Sequence, residues 1–164
     1  MTIETAAVRG VAVHYGPRVT TGKYGRYGNE TGSVKTAEWT FNYDDLPAYD
    51  TDILGVSIPA YAKIVSARLE VLTAFTSTST TTDLLIGLES AVGVAIDADG
   101  LIAAAQATQT AIGTRGLGVV GAGALVGTGI GAAAGKLVVA PSVDDLLTGK
   151  ARVVVEYIVE KVGN

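Results

Sequence analysis

The stretch Ala62-Lys63-Ile64-Val65-Ser66-Ala67-Arg68-Leu69-Glu70-Val71-Leu72-Thr73-Ala74-Phe75 decides the fold. In an extended chain successive side chains point to opposite sides. Val65, Ala67, Leu69, Val71 and Phe75 therefore share one face, and Ser66, Arg68 and Glu70 the other. That is the pattern of a strand with one side in a core and one in water. A second stretch repeats it: Ala151, Val153, Val155, Tyr157 and Val159 point one way, and Lys150, Arg152, Glu156 and Glu160 the other. β-Branched residues dominate the inward set, as a pleated, half-buried surface favours. Two long amphipathic strands bracketing one apolar region predict a β-sandwich.

Shorter segments fill out the two layers. Ala37, Trp39, Phe41 and Tyr43 alternate with Glu38, Thr40 and Asn42, which predicts a strand with an aromatic face, ended by Asp44 to Pro47. Ile53 to Ile58 reads as an apolar strand stopped by Pro59, because proline lacks the amide a central ladder needs. The Ser/Thr run Thr76 to Thr82 reads as a polar loop before a strand at Asp83 to Leu88, and Leu137 to Ala140 as a strand ended by Pro141. Leu101 to Ile112 is alanine-rich and suits a short helix after Asp97-Ala98-Asp99-Gly100, with Asp99 as its cap. From Gly113 to Gly135 glycine recurs too often for a good helix, so Val119, Val120, Leu125, Val126 and Ile130 are expected in brief sheet segments. Some eight strands with at most one short helix give an all-β class: a jelly-roll-like antiparallel β-sandwich.

The residues ahead of that body read differently. Gly10, Gly16, Pro17, Gly22, Gly25, Gly28 and Gly32 punctuate them, which predicts an extended N-terminal arm over 1–36 and a sandwich body over 37–164. Charge is partitioned too. Arg9, Arg18, Lys23, Arg26 and Lys35 face only Glu4 and Glu30 in the arm, whereas Glu38, Asp44, Asp45, Asp50 and Asp52 follow without a Lys or Arg among them. The arm's Tyr15, Arg18, Lys23, Tyr24, Arg26 and Tyr27 combine cationic and aromatic groups and are the candidate contact residues. Nucleic-acid tails share that mixture, but basic residues this thinly spread leave a weak footprint for phosphate. Arginine forms bidentate pairs with carboxylates and tyrosine buries area at small entropic cost, so an acidic protein surface is the expected target.

Composition narrows the function classes. A chain of 164 residues is about one domain and can bury a core without cross-links. It has no cysteine, which excludes disulfides, a thiolate nucleophile and a cysteine-zinc site. A net charge of -4 argues against wholesale nucleic-acid binding. Met1 to Val13 carries Glu4 and Arg9 and lacks the unbroken apolar run of a signal peptide. Leu117 to Gly135 carries no charge and contains Gly127, Gly131 and Gly135 at four-residue spacing, but a helix there loses about 1 kcal/mol per glycine relative to alanine, so strands and turns are expected and no membrane span.

Motifs that would carry chemistry are weak. Gly116, Gly118 and Gly121 match the spacing of a dinucleotide loop, yet no strand-loop-helix context surrounds them. Asp97, Asp99 and Gly100 resemble the opening of a calcium loop, but Leu101 to Gln106 supplies almost none of the further oxygens required. Asp44 with Asp45, and Asp144 with Asp145, are sequence neighbours that read as turn residues rather than acid/base dyads. His14 is the only histidine and cannot build a typical zinc site alone. No catalytic residue, cofactor or metal is expected, and the chain is not read as an enzyme.

Turn and strand-edge residues carry a resemblance. Asp44-Asp45-Leu46-Pro47, Ile58-Pro59-Ala60 leading into Ile64-Val65-Ser66-Ala67, Thr73-Ala74-Phe75, Leu85-Ile86-Gly87-Leu88, Asp97-Ala98-Asp99-Gly100 and Thr148-Gly149-Lys150-Ala151-Arg152-Val153-Val154-Val155-Glu156-Tyr157 together resemble the capsid decoration, or cement, proteins of tailed bacteriophages. The resemblance spans roughly Asp44 to Tyr157. It implies a structural protein made in the host cytoplasm, commonly trimeric, that binds the exterior of the head. Its partner would be the major capsid protein, whose subunit contacts it reinforces; neither nucleic acid nor membrane is an implied partner. A head-fibre, tail or adaptor component is the nearest alternative. A carbohydrate-binding sandwich is a more distant one, since Trp39 is the only tryptophan available as a sugar platform.

Overall fold

The computed structural model describes residues 33–46, 53–90 and 94–159. Among these residues eight strands run in chain order: β1 (Lys35–Asn42), β2 (Ile53–Ile58), β3 (Ala62–Ser77), β4 (Leu84–Ser90), β5 (Ala95–Ile102), β6 (Gly118–Val120), β7 (Gly135–Pro141) and β8 (Leu146–Val159). A single-turn helix, α1 (Gln109–Ile112), lies between β5 and β6. Two four-stranded sheets form, ordered β1-β8-β3-β6 and β2-β7-β4-β5, with every pairing antiparallel. Within them β1 pairs with β8, β2 with β7, β3 with β6 and β4 with β5. Such nested pairs arise when a long two-stranded ribbon is rolled up so that successive pairs alternate between layers. The result is the jelly roll that the alternation of β3 and β8 led us to expect.

The core lies between the layers. Ala67, Leu69, Val71, Phe75, Ala151, Val153 and Val155 come from one sheet, and Ile58, Leu84, Ile86, Leu88, Leu137 and Val139 from the other, all buried. Each large side chain removed from water in this way stabilises the fold by about 1.5–3 kcal/mol. Phe41 extends an aromatic cluster along the β1-β8-β3-β6 sheet, its ring centroid 6.1 Å from that of Phe75 and 5.4 Å from that of Trp39.

Three expectations are corrected. Val65 does not face the core: Ile64 pairs with Tyr157 and Ser66 with Glu156, so Val65 is a surplus residue. A surplus residue shifts the alternation by one, which buries Ile64 and leaves Val65 40% exposed. Asp99 caps no helix, because Leu101 and Ile102 end β5 and the only helix in this region is capped at Thr108, whose side chain accepts from the Ala111 amide. Asp97 to Gly100 is instead a wide bulge. Leu88 pairs with Asp97 and Ile86 with Ile102, which sets four β5 residues, Ala98 to Leu101, against Gly87 alone on β4. Finally, of the expected glycine-region segments only Val119 and Val120 fall in a strand, while Leu125, Val126 and Ile130 do not.

The glycine-rich segment closes one flank of the sandwich. The amides of Gly116, Gly121, Gly127 and Ile130 donate to carbonyls of Val71, Ala67, Ile64 and Ala62 in β3, while those of Gly123 and Leu125 donate to Leu101 and Gly100 in β5. It therefore crosses between sheets and stitches their edges together. Glycine is required where it crosses, because a Cβ on Gly121 would overlap the Leu101 carbonyl and one on Gly123 the Gly100 backbone. Gln106 reinforces the seam: its Oε1 accepts from the amides of Ala103 (3.1 Å) and Ala122 (2.9 Å), and its Nε2 donates to the Val120 carbonyl (3.1 Å).

The opposite flank is formed by β1 and β2. There Trp39 packs over Gly55, whose missing side chain leaves room for the indole.

Candidate functional site

In an antiparallel jelly roll, connections from odd to even strands gather at one end and those from even to odd strands at the other. The first end carries Asp44, Asp45, Asp83, Asp144 and Asp145. Each is drawn into local structure. The Asn42 amide donates to Asp45 Oδ2 at 2.8 Å, and the Gln109 amide to Asp83 Oδ1 at 3.2 Å. Thr78 donates to Asp144, whose carboxyl is thereby held below its ordinary range, with help from the Asp145 amide. Ser77 bridges to Thr82 and to the Asp145 carbonyl, so the Ser/Thr run and the Asp144-Asp145 turn fasten to each other. These acids shape loops rather than forming a dyad.

The chain enters β1 at the opposite end. The contact candidates Tyr15, Arg18, Lys23, Tyr24, Arg26 and Tyr27 precede it and lie outside the described residues, as does His14. Of the arm expected over 1–36, Lys35 and Thr36 belong to β1. Tyr61, at this same end, was not singled out from sequence: it is 47% exposed and holds φ at 59°, a left-handed conformation unusual for a bulky residue. Its amide donates to the Gly131 carbonyl at 2.7 Å, which ties the β2–β3 turn to the glycine-rich segment.

The outer face of the β1-β8-β3-β6 sheet carries an ion-pair array. Arg152 of β8 reaches Glu70 on β3 through Nε (2.9 Å) and Nη2, and Glu38 on β1 through Nη1 (3.0 Å). Arg68 adds a contact to Glu70 at 3.2 Å. Hydrogen bonding to Arg152 pulls the Glu70 carboxyl below its ordinary range, and the same bonds with Glu70 and Glu38 raise the guanidinium. Ser66 donates to Glu156 at 2.8 Å beside them. Glu38 and Glu70 are ion-paired through Arg152, with Arg68 beside Glu70, and Glu156 accepts from the Ser66 hydroxyl. Val154, 5% exposed, sits between the positions of Glu38 and Arg68 in the same sheet.

The remaining sequence motifs resolve as structure. Gly116 and Gly118 lie beside and within β6, and Gly121 seats against β5, so the dinucleotide-like spacing belongs to the edge seam. Asp97 and Asp99 bond to each other in the β5 bulge. Burial first, and then this bond, raise Asp97 above its ordinary value. Among the described residues no group of three or more His, Asp or Glu side chains is placed to hold a metal ion, and no helix is long and apolar enough to cross a membrane. Trp39 is half-buried between Phe41 and Gly55, not displayed as a platform for a sugar ring.

The fold recurs in phage capsid structures. One chain of the capsid asymmetric unit of cyanophage Pam1 is similar with a TM-score of 0.56 at 16% identity, covering 87% of this chain and 97% of that one. A chain in the capsid of Ralstonia phage GP4 is similar with a TM-score of 0.57 at 18% identity, covering 83% and 90%. At these identities the likeness establishes a shared architecture. No family model and no curated protein sequence matches the chain.

Proposed function

We propose that this chain is a structural component of a bacteriophage virion, specifically a capsid decoration protein that binds the exterior of the head and stabilises contacts between major capsid subunits. The observation that carries this reading is the near-complete coverage of two capsid-structure chains, 97% and 90% of their lengths, by a jelly roll of the same size. The arrangement of the surface supports it. The ion-paired outer face and the self-bonded acidic loops offer rigid contact area without reactive groups, consistent with a non-enzymatic role.

In this reading the body forms a trimer and the arm, through Tyr15, Arg18, Lys23, Tyr24, Arg26 and Tyr27, clamps neighbouring capsid subunits. Ordering an arm costs on the order of 1–2 kcal/mol per residue in backbone entropy, so a symmetric oligomer that repeats the contact is the economical arrangement. The protein is made in the host cytoplasm and joins the particle from outside.

Electron microscopy of particles carrying a labelled copy of the full chain tests the placement. Label at regular lattice positions over the head supports decoration. Label confined to a vertex, tail or fibre assigns it to a head-fibre, tail or adaptor component instead.

A further inference from the structure

We propose, on the basis of the decoration reading above, that the end of the sandwich carrying Tyr61, Lys35, Lys63 and Lys136 is the face seated on the head, with Tyr61 as its anchor and an acidic protein surface as its partner. A jelly roll has two loop ends, and here they differ in strain and in charge.

Tyr61 is, among the described residues, the only residue other than glycine with a positive φ, at 59°. A bulky side chain is strained there, whereas glycine would hold the same turn without a Cβ penalty. The side chain is 47% exposed, so burial returns little of that cost. The surrounding backbone enforces the conformation. Pro59 has its φ fixed by its ring, the Ala62 amide donates to the Pro59 carbonyl at 3.2 Å, the Tyr61 amide to that of Gly131 at 2.7 Å and the Ile130 amide to that of Ala62 at 3.0 Å. Strain held by a rigid frame at an exposed position marks a residue kept for contact rather than for stability. A tyrosine presented in this way buries a large area and has few rotatable bonds to order, the properties of an interface anchor.

Charge sets the partner. Lys35 and Lys63 are exposed and stand opposite Tyr157 and Ile158, adjacent residues of β8. Lys136 stands opposite Ser57, one residue before the end of β2. The described acids toward this end are Glu89, in register with Lys136, and Glu156, which accepts from Ser66. The far end carries Asp44, Asp45, Asp83, Asp144 and Asp145 against Arg115 and Lys150. The sandwich is therefore positive at one end and negative at the other, and an acidic surface draws it in with Tyr61 leading. β1 also begins at the Tyr61 end, so the arm to which the proposed function gives a capsid contact is joined to the body there.

The test is co-sedimentation of the purified full chain with expanded, protein-only phage heads, using Tyr61→Gly, Lys63→Glu and, at the far end, Val143→Ser, whose parent side chain is 48% exposed. Urea titration compares their stabilities first. The parent is expected to saturate the heads, with binding that weakens as salt is raised. Tyr61→Gly is expected to bind at least tenfold more weakly at an equal or higher urea midpoint, the signature of a residue kept for contact at the expense of stability. Lys63→Glu should also lose at least tenfold, and its residual binding should depend less on salt. Val143→Ser should bind as the parent does. Parental binding by either Tyr61→Gly or Lys63→Glu overturns the proposal, as does a lowered midpoint in Tyr61→Gly or an equal loss in Val143→Ser, and each of these leaves the decoration reading standing. A parent that does not bind at all removes the decoration reading and this proposal with it.

Discussion

The ring of Phe75 fills the space that a side chain on Gly149 would occupy. Gly149 is buried within β8 and holds φ at 134°, a value that L side chains rarely adopt, so both sterics and backbone keep this position as glycine. Replacing it with alanine forces Phe75 out of the core. Gly149→Ala is expected to destabilise the protein by roughly 2–4 kcal/mol, read as a lower urea midpoint at unchanged slope. A loss below about 0.5 kcal/mol, the ordinary range for a surface site, would contradict this packing.

Gln106 supplies three hydrogen bonds to the seam between β5 and the glycine-rich segment. Gln106→Ala leaves the Ala122 and Ala103 amides without that acceptor and is expected to cost about 1–3 kcal/mol. Hydrogen exchange should localise the effect, with residues 118–123 opening faster while the β3–β8 pairing stays protected. Uniform acceleration across the molecule would mean that the seam is not a separate unit.

These two sites mark how far the sequence could be read. The strands announced themselves wherever alternation ran long enough, as in Ala151 to Val155, because burial on one side imposes a period of two. Val65 was misplaced since a bulge at Ile64/Ser66 resets that period, and a surplus residue looks like any other until its partner strand is known. Asp97 to Gly100 was expected to lead into a helix capped by Asp99, yet its excess residues are carried within β5. The role of Gln106 left no local signal, because its partners lie as many as sixteen residues away. The glycines of 113–135 signalled only that no helix would form. Their use in threading backbone between two sheet edges depends on Leu101 and Gly100, which the sequence does not place beside them. The candidate contact residues rest on a charge pattern in residues that lie outside the described ones.

The Arg152 array makes stability fall in acid. Glu70 titrates lower in the folded chain than in the unfolded one, first because Arg152 donates to it. Its contribution is therefore complete above the unfolded carboxylate pKa and is lost as pH drops through the lower folded value. The pair is partly exposed, so the contribution is about 0.2–1 kcal/mol. Glu70→Gln should lower stability at pH 7 by that amount and match the parent near pH 2 in urea titrations. An equal deficit at both pH values would point to packing rather than charge.

Asp97 acts with the opposite sign. Burial, and then its bond to Asp99, raise its folded pKa, so the folded state favours the protonated acid and loses stability as pH rises through that value. Asp97→Asn keeps a hydrogen-bonding group and removes the titration. The variant is expected to be more stable than the parent at pH 7, with the advantage shrinking as pH falls into the acid range. Thermal midpoints across pH 3–8 provide the check, and an advantage independent of pH would contradict the ionisation argument.

Tyr61 holds a left-handed conformation without being buried. Glycine adopts that conformation without a Cβ penalty, so Tyr61→Gly should leave stability unchanged or raise it by up to about 1 kcal/mol. A marked loss would show that the ring packs on something that stabilises it.

The most direct measurement is the binding of purified full-length protein to expanded, protein-only phage heads. Sedimentation with increasing protein should saturate at a simple whole-number ratio to the major capsid subunit. Exchanging Arg18, Lys23 and Arg26 for alanine should weaken that binding at least tenfold without altering the fold. Failure of the parent protein to co-sediment at any concentration, or binding that rises without saturation, would contradict a decoration role.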